Sequence, residues 1–351
     1  MNDVLRLARP DILELQPYQH AAWNPELERL HANEMPWRAA GDDSDAGLNR
    51  YPEPQPRRLL ERLGCLYQVP ADRILAGRGS DEAIDLLVRA FCRAGQDCVA
   101  VCPPTFGYYS VAARIQGARV REAPLRSVDF GLDVAAVADA GRDAKLVFLC
   151  SPNNPTGQLL DEAAILALCK TLAGRALVVV DEAYIEFSTR ASLAARLGEF
   201  PNLVVLRTLS KAYALAGARC GALLASEEIV RLLRRILPPY ALPASSVEAV
   251  LKLTAQRQRR QAQARIDTLR SERERMRARL AAVPGIRRVL PSDANFLLAE
   301  FDAPQAALAA GCAAGLLVRD LSANPWLPGC LRLTVGTPAQ NERLLAALER
   351  A

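Results

Sequence analysis

Three short apolar runs set the frame of the chain: KLVFLC ending at Cys150, ALVVVD ending at Asp181 and NLVVLR ending at Arg207. Each is strand-sized, rich in β-branched residues and nearly free of polar positions, the pattern of a strand buried on both faces. Successive runs lie roughly 25–30 residues apart, which leaves room for a crossover helix such as 161–173 and so predicts a parallel sheet. Upstream, GRGSDEAIDLLVRAF places Ile84, Leu87, Val88 and Phe91 at helical spacing behind a glycine-rich turn. CVAVCPP then reads as a further strand, and the segment near Tyr109–Gln116 as a helix. Residues 1–50 read as an irregular lead segment, with GDDSDAG as a loop. From Pro238-Pro239 the pattern changes to a long basic stretch, followed by the short runs NFLLAEF, GLLVRD and CLRLTVG between helix-like segments. The prediction is an α/β fold: a large layer of helices around a mostly parallel sheet, and a smaller α+β unit.

Composition narrows the chemistry. Half of the 351 residues are hydrophobic and 24% are charged, which excludes wholesale disorder. No apolar run approaches the ~18 residues of a membrane span. The N-terminus carries Asp3, Asp11 and Glu14 through any would-be signal core, so the expected location is the cytoplasm, with no membrane partner. Only two histidines occur, His20 and His31, and the nine cysteines contain no C-x-x-C. No metal site or disulfide framework is expected, and the cysteines read as small buried hydrophobes. Residues 251–280 hold ten basic groups against three acidic ones, more than the whole net charge of +5. Ala262, Ile266, Leu269, Met276 and Leu280 keep helical spacing there, so the stretch reads as one amphipathic helix with a solvated basic face. Without aromatic interleaving, no nucleic-acid partner is expected.

Of the 44 basic residues only four are lysines: Lys145, Lys170, Lys211 and Lys252. Where a plain positive charge suffices this chain uses arginine, so a lysine at a strand's carboxyl end stands out. Lysine alone can lose its proton and form an imine with a carbonyl. Lys211 follows the third run, flanked by Ser210 and, further on, Arg219. Ligands of open α/β sheets bind beyond the carboxyl ends of strands, where SPNNPTG, DEAY and TLSKAYALAGAR converge. An aldehyde cofactor held as an imine needs a phosphate cup, a carboxylate for its ring nitrogen, donors for its phenolic oxygen and an aromatic against its face. Asp181 suits the carboxylate, and Gly79, Ser80 and Asp81 open a helix that can hold phosphate. Each piece has an ordinary alternative: Ser80 or Asp81 as a helix cap, SPNNPTG as a turn, DEAY as a strand exit.

Taken together, these motifs resemble the fold type I, aspartate-aminotransferase-like family of pyridoxal-phosphate enzymes, and within it the histidinol-phosphate aminotransferase subfamily. PYQHA, HANEMPW, NRYPEPQP, GRGSDEAIDLL, CPPTFGYYSV, SPNNPTG, VVDEAYIEF, RTLSKAYALAGARCG and CLRLTVGT carry the resemblance along nearly the whole chain. It implies an arm over 1–45 that includes part of the small domain, a large domain over 46–237 that binds pyridoxal 5'-phosphate, and a small domain over 238–351. It further implies that Lys211 bears the cofactor, Asp181 pairs with its ring nitrogen, Asn154 and Tyr184 bind its phenolic oxygen, and Phe106 stacks on the ring. Gly79, Ser80, Asp81, Ser210 and Arg219 would hold its phosphate. Tyr51 would reach the phosphate in a neighbouring subunit, which implies a homodimer. Arg332 would bind the substrate carboxylate and, with Arg319, Tyr18 and Asn33, the phosphate of histidinol phosphate.

The implied reaction is ping-pong amino transfer between histidinol phosphate and 2-oxoglutarate, giving imidazole-acetol phosphate and glutamate. A phosphoamino-acid decarboxylase and an aromatic-amino-acid aminotransferase of the same fold would keep the same cofactor residues and remain alternatives. A regulator that binds both the cofactor and DNA is a further one, but the short irregular lead segment leaves no room for a reader domain.

Overall fold

The computed structural model describes residues 4–21, 24 and 26–350. Asp3, like Ala22, Trp23 and Pro25 further along the lead segment, lies outside the described residues. The larger sheet contains β1 (Ile74–Gly77), β2 (Cys98–Val101), β3 (Arg119–Glu122), β4 (Leu146–Cys150), β5 (Leu177–Asp181), β6 (Leu203–Thr208) and β7 (Gly221–Leu224), in the order β1-β7-β6-β5-β4-β2-β3. Neighbours pair in parallel except at β7, which runs antiparallel to both β1 and β6. The three central runs are thus adjacent strands, and their carboxyl ends lie side by side.

Alternation along these strands feeds two cores. Val147, Leu149, Val178, Val180, Leu203 and Val205 join one apolar layer with the helix Arg57–Tyr67. Leu146, Phe148, Leu177, Val179, Val204 and Leu206 join the other with the helix Ser80–Phe91. Both faces are covered, which is why the sequence shows continuous hydrophobicity instead of alternation. Val4, Leu7 and Ala8 of the lead segment are buried against the second layer, and a short helix Pro10–Glu14 follows. That start is therefore less irregular than its sequence suggests.

A second sheet, fully antiparallel, has the order β10-β11-β9-β8, with β8 (Ile286–Val289), β9 (Phe296–Phe301), β10 (Arg319–Asp320) and β11 (Cys330–Thr334). β8 reads IRRV, and its two exposed arginines hide it from a hydrophobic scan. Leu297, Ala299, Leu331 and Leu333 pack on Met276, Leu280 and Leu345 to form a separate core.

The basic stretch departs from expectation in two ways. It divides into the helices Ala244–Leu253, which carries Lys252, and Gln256–Leu280. Its face is also only partly solvated: Arg273 is buried, and Arg275, Arg277 and Arg279 pair with Glu272, Glu274, Glu342 and Glu349. All nine cysteines are free thiols; seven are buried, and Cys65 and Cys312 are exposed. Among the described residues no helix is long and apolar enough to cross a membrane.

Behind β5 and β6 lies a buried charge cluster. Arg207 pairs with Glu186 at 2.6 Å and with Glu182 at 3.7 Å, and its guanidinium lies 4.5 Å from the centre of the Tyr67 ring. All three charged side chains are less than a tenth exposed. Removing the cation would leave two buried carboxylates without a counter-charge. Arg207→Met is therefore expected to cost about 3 kcal/mol or more in a urea unfolding titration; a loss below ~1 kcal/mol would show that the cluster is not a keystone of the fold.

Candidate active site

The carboxyl ends of β4, β5 and β6 open into a cavity of about 660 Å³. Its wall includes Gly79, Ser80, Asp81, Phe106, Asn154, Asp181, Tyr184, Ser210, Lys211, Arg219, Arg319 and Arg332. The structure thus brings together every site residue anticipated from sequence except Tyr18, Asn33 and Tyr51.

One end of the cavity is built to receive an anion. Helix Ser80–Phe91 begins on Gly79 at φ 94°, and no side chain caps it. The capping alternative for Ser80 and Asp81 therefore fails, and the first backbone N–H groups remain available, with the positive end of the helix dipole behind them. A Cβ at Gly79 would lie 2.9 Å from Arg219 Nη2, and one at Gly221 would lie 2.7 Å from the Gly79 carbonyl carbon and the Ser80 nitrogen. Glycine is required at both places for the loop, β7 and the guanidinium to close up. Arg219 donates to Asp81 Oδ2 at 3.3 Å and to the carbonyls of Arg78 and Ala216. Ser210 is tied to Thr208, whose hydroxyl donates to Ser210 Oγ at 3.0 Å.

The floor is Asp181. It is 3% exposed, and burial pushes its carboxyl up to about 6, against the opposing pull of the Tyr109 O–H, the Ala183 N–H and Lys211. Tyr109 donates to Oδ2 at 2.8 Å, and Ala183 N–H donates to Oδ1 at 3.1 Å. Neither donor carries a charge, so the site favours a cationic N–H against this carboxylate. Tyr109 was not singled out from sequence. It lies three residues beyond Phe106, is fully buried, stacks on Phe148 at 4.8 Å and meets Phe106 edge-on at 5.5 Å. Its only sequence signal is that spacing at a helix start.

Lys211 is exposed to the cavity, with Nζ 5.7 Å from the centre of the Tyr184 ring. Tyr184 is buried, and desolvation raises its hydroxyl above the usual phenol range. Asn154 Nδ2 donates to that hydroxyl at 3.5 Å, and Arg332 Nη1 donates to Asn154 Oδ1 at 2.5 Å. Arg332 and Arg319 face each other across β10 and β11, and the segment after β10 adds Leu321 and Asn324 to the wall. Two arginines at one end and an anion cup at the other suit a substrate and a cofactor that are both anionic.

Tyr18, Asn33 and Tyr51 are held elsewhere in this chain. Tyr18 contacts His20, His20 contacts Tyr240, and Tyr51 stacks on Tyr240 at 4.5 Å. Asn33 and Tyr51 border a different cavity with Glu34 and Arg50. Glu34, paired with Arg29 and Arg50, ties that segment to itself. Tyr18 and Asn33 therefore do not join Arg319 and Arg332 within one chain.

Residues 28–348 match the model of the family Aminotransferase class I and II. The chain belongs to that family. It is 50% identical, over 98% of its length and 96% of the relative's, to a histidinol-phosphate aminotransferase of Xylella fastidiosa (strain 9a5c). A protein of the same name from Stenotrophomonas maltophilia (strain R551-3) is 47% identical over 99% and 97% of the two lengths. Among solved structures, the histidinol-phosphate aminotransferase of Sinorhizobium meliloti in complex with pyridoxal-5'-phosphate superposes with a TM-score of 0.77 at 26% identity, covering 86% of this chain and 82% of that one. The fold is thus that of this aminotransferase family. The donor set fits the cofactor of that complex: a buried carboxylate for a ring nitrogen, a glycine-lined helix start for a phosphate and a lysine between them.

The raised carboxyl of Asp181 has a measurable consequence. Its folded value of about 6 exceeds the unfolded value of 3.8, so the folded, ligand-free protein binds the extra proton between those limits. Stability from this group is gained as pH falls from 7 towards 4 and lost as pH rises. Asp181→Asn mimics the protonated form. In ligand-free protein its stability advantage over wild type should shrink between pH 7 and pH 5, as followed by urea unfolding; a constant difference would contradict the assignment.

Proposed function

We propose that this aminotransferase moves an amino group between histidinol phosphate and 2-oxoglutarate, with pyridoxal phosphate held at Lys211 and ping-pong kinetics. The observation that carries the reading is the convergence of Lys211, Asp181 and Arg332 on one cavity, in a chain half identical to proteins of that name over nearly its full length. When bound, pyridoxal phosphate supplies an aldehyde for covalent attachment and a ring that accepts the electron pair released at the substrate's Cα.

The chain's own residues supply the rest. Arg219, Ser80, Ser210 and the N–H groups after Gly79 bind the phosphate and fix the ring's position. Asp181, held by Tyr109, keeps a proton on the ring nitrogen, and Phe106 covers the ring face. Asn154 and Tyr184 donate to the phenolic oxygen. Lys211 would take the proton from the substrate's Cα and deliver it to the cofactor's aldehyde carbon, on the far side of the shared nitrogen, acting as base and then acid. Arg332 holds the carboxylate of glutamate or the phosphate of histidinol phosphate, with Arg319 beside it; a guanidinium fork fits either anion.

Tyr51 is read as reaching a partner's phosphate, so the working unit is a homodimer. In support, Leu15, Tyr18, Leu27, Leu30, Met35, Trp37, Leu48 and Tyr51 are all exposed along one stretch, a density of apolar surface that marks association. The reading extends to domains divided near residues 46 and 238, and to a cytoplasmic enzyme of histidine biosynthesis.

The deciding assay pairs histidinol phosphate and phenylalanine as amino donors to 2-oxoglutarate. Glutamate should form faster with histidinol phosphate; preference for phenylalanine, or carbon dioxide release without glutamate, would select the other members of this fold. Lys211→Ala should abolish transfer while Lys170→Ala, on an exposed helix face, leaves it intact; equal losses would mean that the wrong lysine has been chosen. Arg332→Ala should raise KM for histidinol phosphate and for glutamate together, by about a hundredfold. Selective loss of one substrate would contradict a shared anion site.

A further inference from the structure

The second half of the basic helix Gln256–Leu280 has a use that the site above does not absorb. Ile266, Arg270 and Arg273 share one face of it at helical spacing. Arg273 is 8% exposed, and its Nη1 donates both to the carbonyl of Phe187 at 3.1 Å and to the carbonyl of Ala294 at 2.9 Å. Arg270 donates to the carbonyls of Glu186 at 2.8 Å, Phe187 at 3.1 Å and Ser188. Of these carbonyls, those of Glu186 and Phe187 belong to a single helical turn, Ile185–Phe187, which ends at Ser188 in extended chain and leaves them without successors. The two N–H bonds of Arg273 Nη1 diverge in the rigid guanidinium plane, so this one nitrogen serves acceptors from two separate segments.

The two segments joined by Arg273 matter for the site. Phe187 follows Tyr184, whose hydroxyl borders the cavity. Ala294 leads into β9, where the Phe296 ring meets Tyr184 edge-on at 5.2 Å and lies 5.3 Å beneath the Arg332 guanidinium. Ala183, Tyr184, Phe187, Ile266, Ala294 and Phe296 form one apolar cluster under this bond pair. From the other side, Asp293 N–H donates to the Gly157 carbonyl at 2.7 Å, and Leu159 N–H donates to Asp293 Oδ2 at 3.3 Å. A Cβ at Gly157 would lie 2.5 Å from Ser292 Oγ. The entry to β9 is thus pinned at both edges, and β9 carries β11 in register, with Leu298 opposite Arg332.

We propose that Arg273 is a positioning residue for amino transfer: by joining Phe187 to Ala294 it sets the place of Arg332 over the cavity without touching substrate. The proposal rests on the functional reading above. Arg273→Lys and Arg273→Met in the full-length, cofactor-loaded protein should raise KM for glutamate and for histidinol phosphate together, by about tenfold, with kcat changed by less than about threefold. The near-visible absorbance should stay at its wild-type value, because Lys211 and Asp181 lie outside the staple, and any loss of cofactor affinity through Tyr184 should be much smaller than the rise in KM. Hydrogen exchange at residues 186–188 and 294–296 should quicken in both variants, with or without cofactor. The lysine variant, which keeps one bond, should be the milder and covers the case in which the methionine variant does not fold. An unchanged KM in Arg273→Lys, or a loss of cofactor affinity as large as the rise in KM, would overturn the proposal. Wild-type protein that transfers no amino group at all would instead overturn the functional reading, and this proposal with it.

Discussion

A carboxylate sealed at the end of an all-apolar strand is the constraint around which this molecule is arranged. Asp181 finishes β5, where every preceding residue is fully buried, and burial drives its carboxyl towards the neutral form. Keeping the charge there requires compensation, and the surroundings provide only part of it: a phenol, a backbone N–H and the distant pull of Lys211. Such a group is costly for a structural role and well suited to one in which a protonated ring nitrogen must be held. The same low dielectric that penalises the lone carboxylate strengthens its attraction to that cation.

The remaining chemistry follows from where strands end. β4 delivers Asn154 through the SPNNPTG loop, β5 delivers Asp181 and Tyr184, and β6 delivers Ser210 and Lys211. Adjacent parallel strands place these exits within one cavity's width of each other. The second sheet contributes Arg319 and Arg332 from above, so the two ends of the cavity differ in origin: the anion cup belongs to the larger sheet and the paired arginines to the smaller. Their relative placement then depends on contacts between the sheets, which is where Arg270 and Arg273 act.

Much of this was legible in the sequence, for identifiable reasons. Strands buried on both faces announce themselves as unbroken apolar runs, so β4, β5 and β6 could be placed within a residue. Lys211 stood out because arginine fills nearly every other cationic position. The rest depended on direction in space. Tyr109 looks like any aromatic near a helix start, and nothing local says that its hydroxyl meets Asp181. Arg270 and Arg273 read as part of a solvated face because charge at helical spacing usually is, and their acceptors are backbone carbonyls, which carry no sequence signature. The antiparallel course of β7 is equally silent, since β-strands of either direction bury the same residues. Tyr18 and Asn33 differ again: their motifs, like that of Tyr51, do not say whether a segment rich in loops lines the cavity of its own chain.

The account stands on a covalent bond between the cofactor's aldehyde carbon and a single ε-amine. Borohydride reduction of the native protein, followed by digestion and mass spectrometry, tests it directly. A reduced pyridoxyl-phosphate adduct on the peptide containing Lys211 is the result expected; an adduct on Lys145, Lys170 or Lys252, or none after incubation with the cofactor, would contradict it.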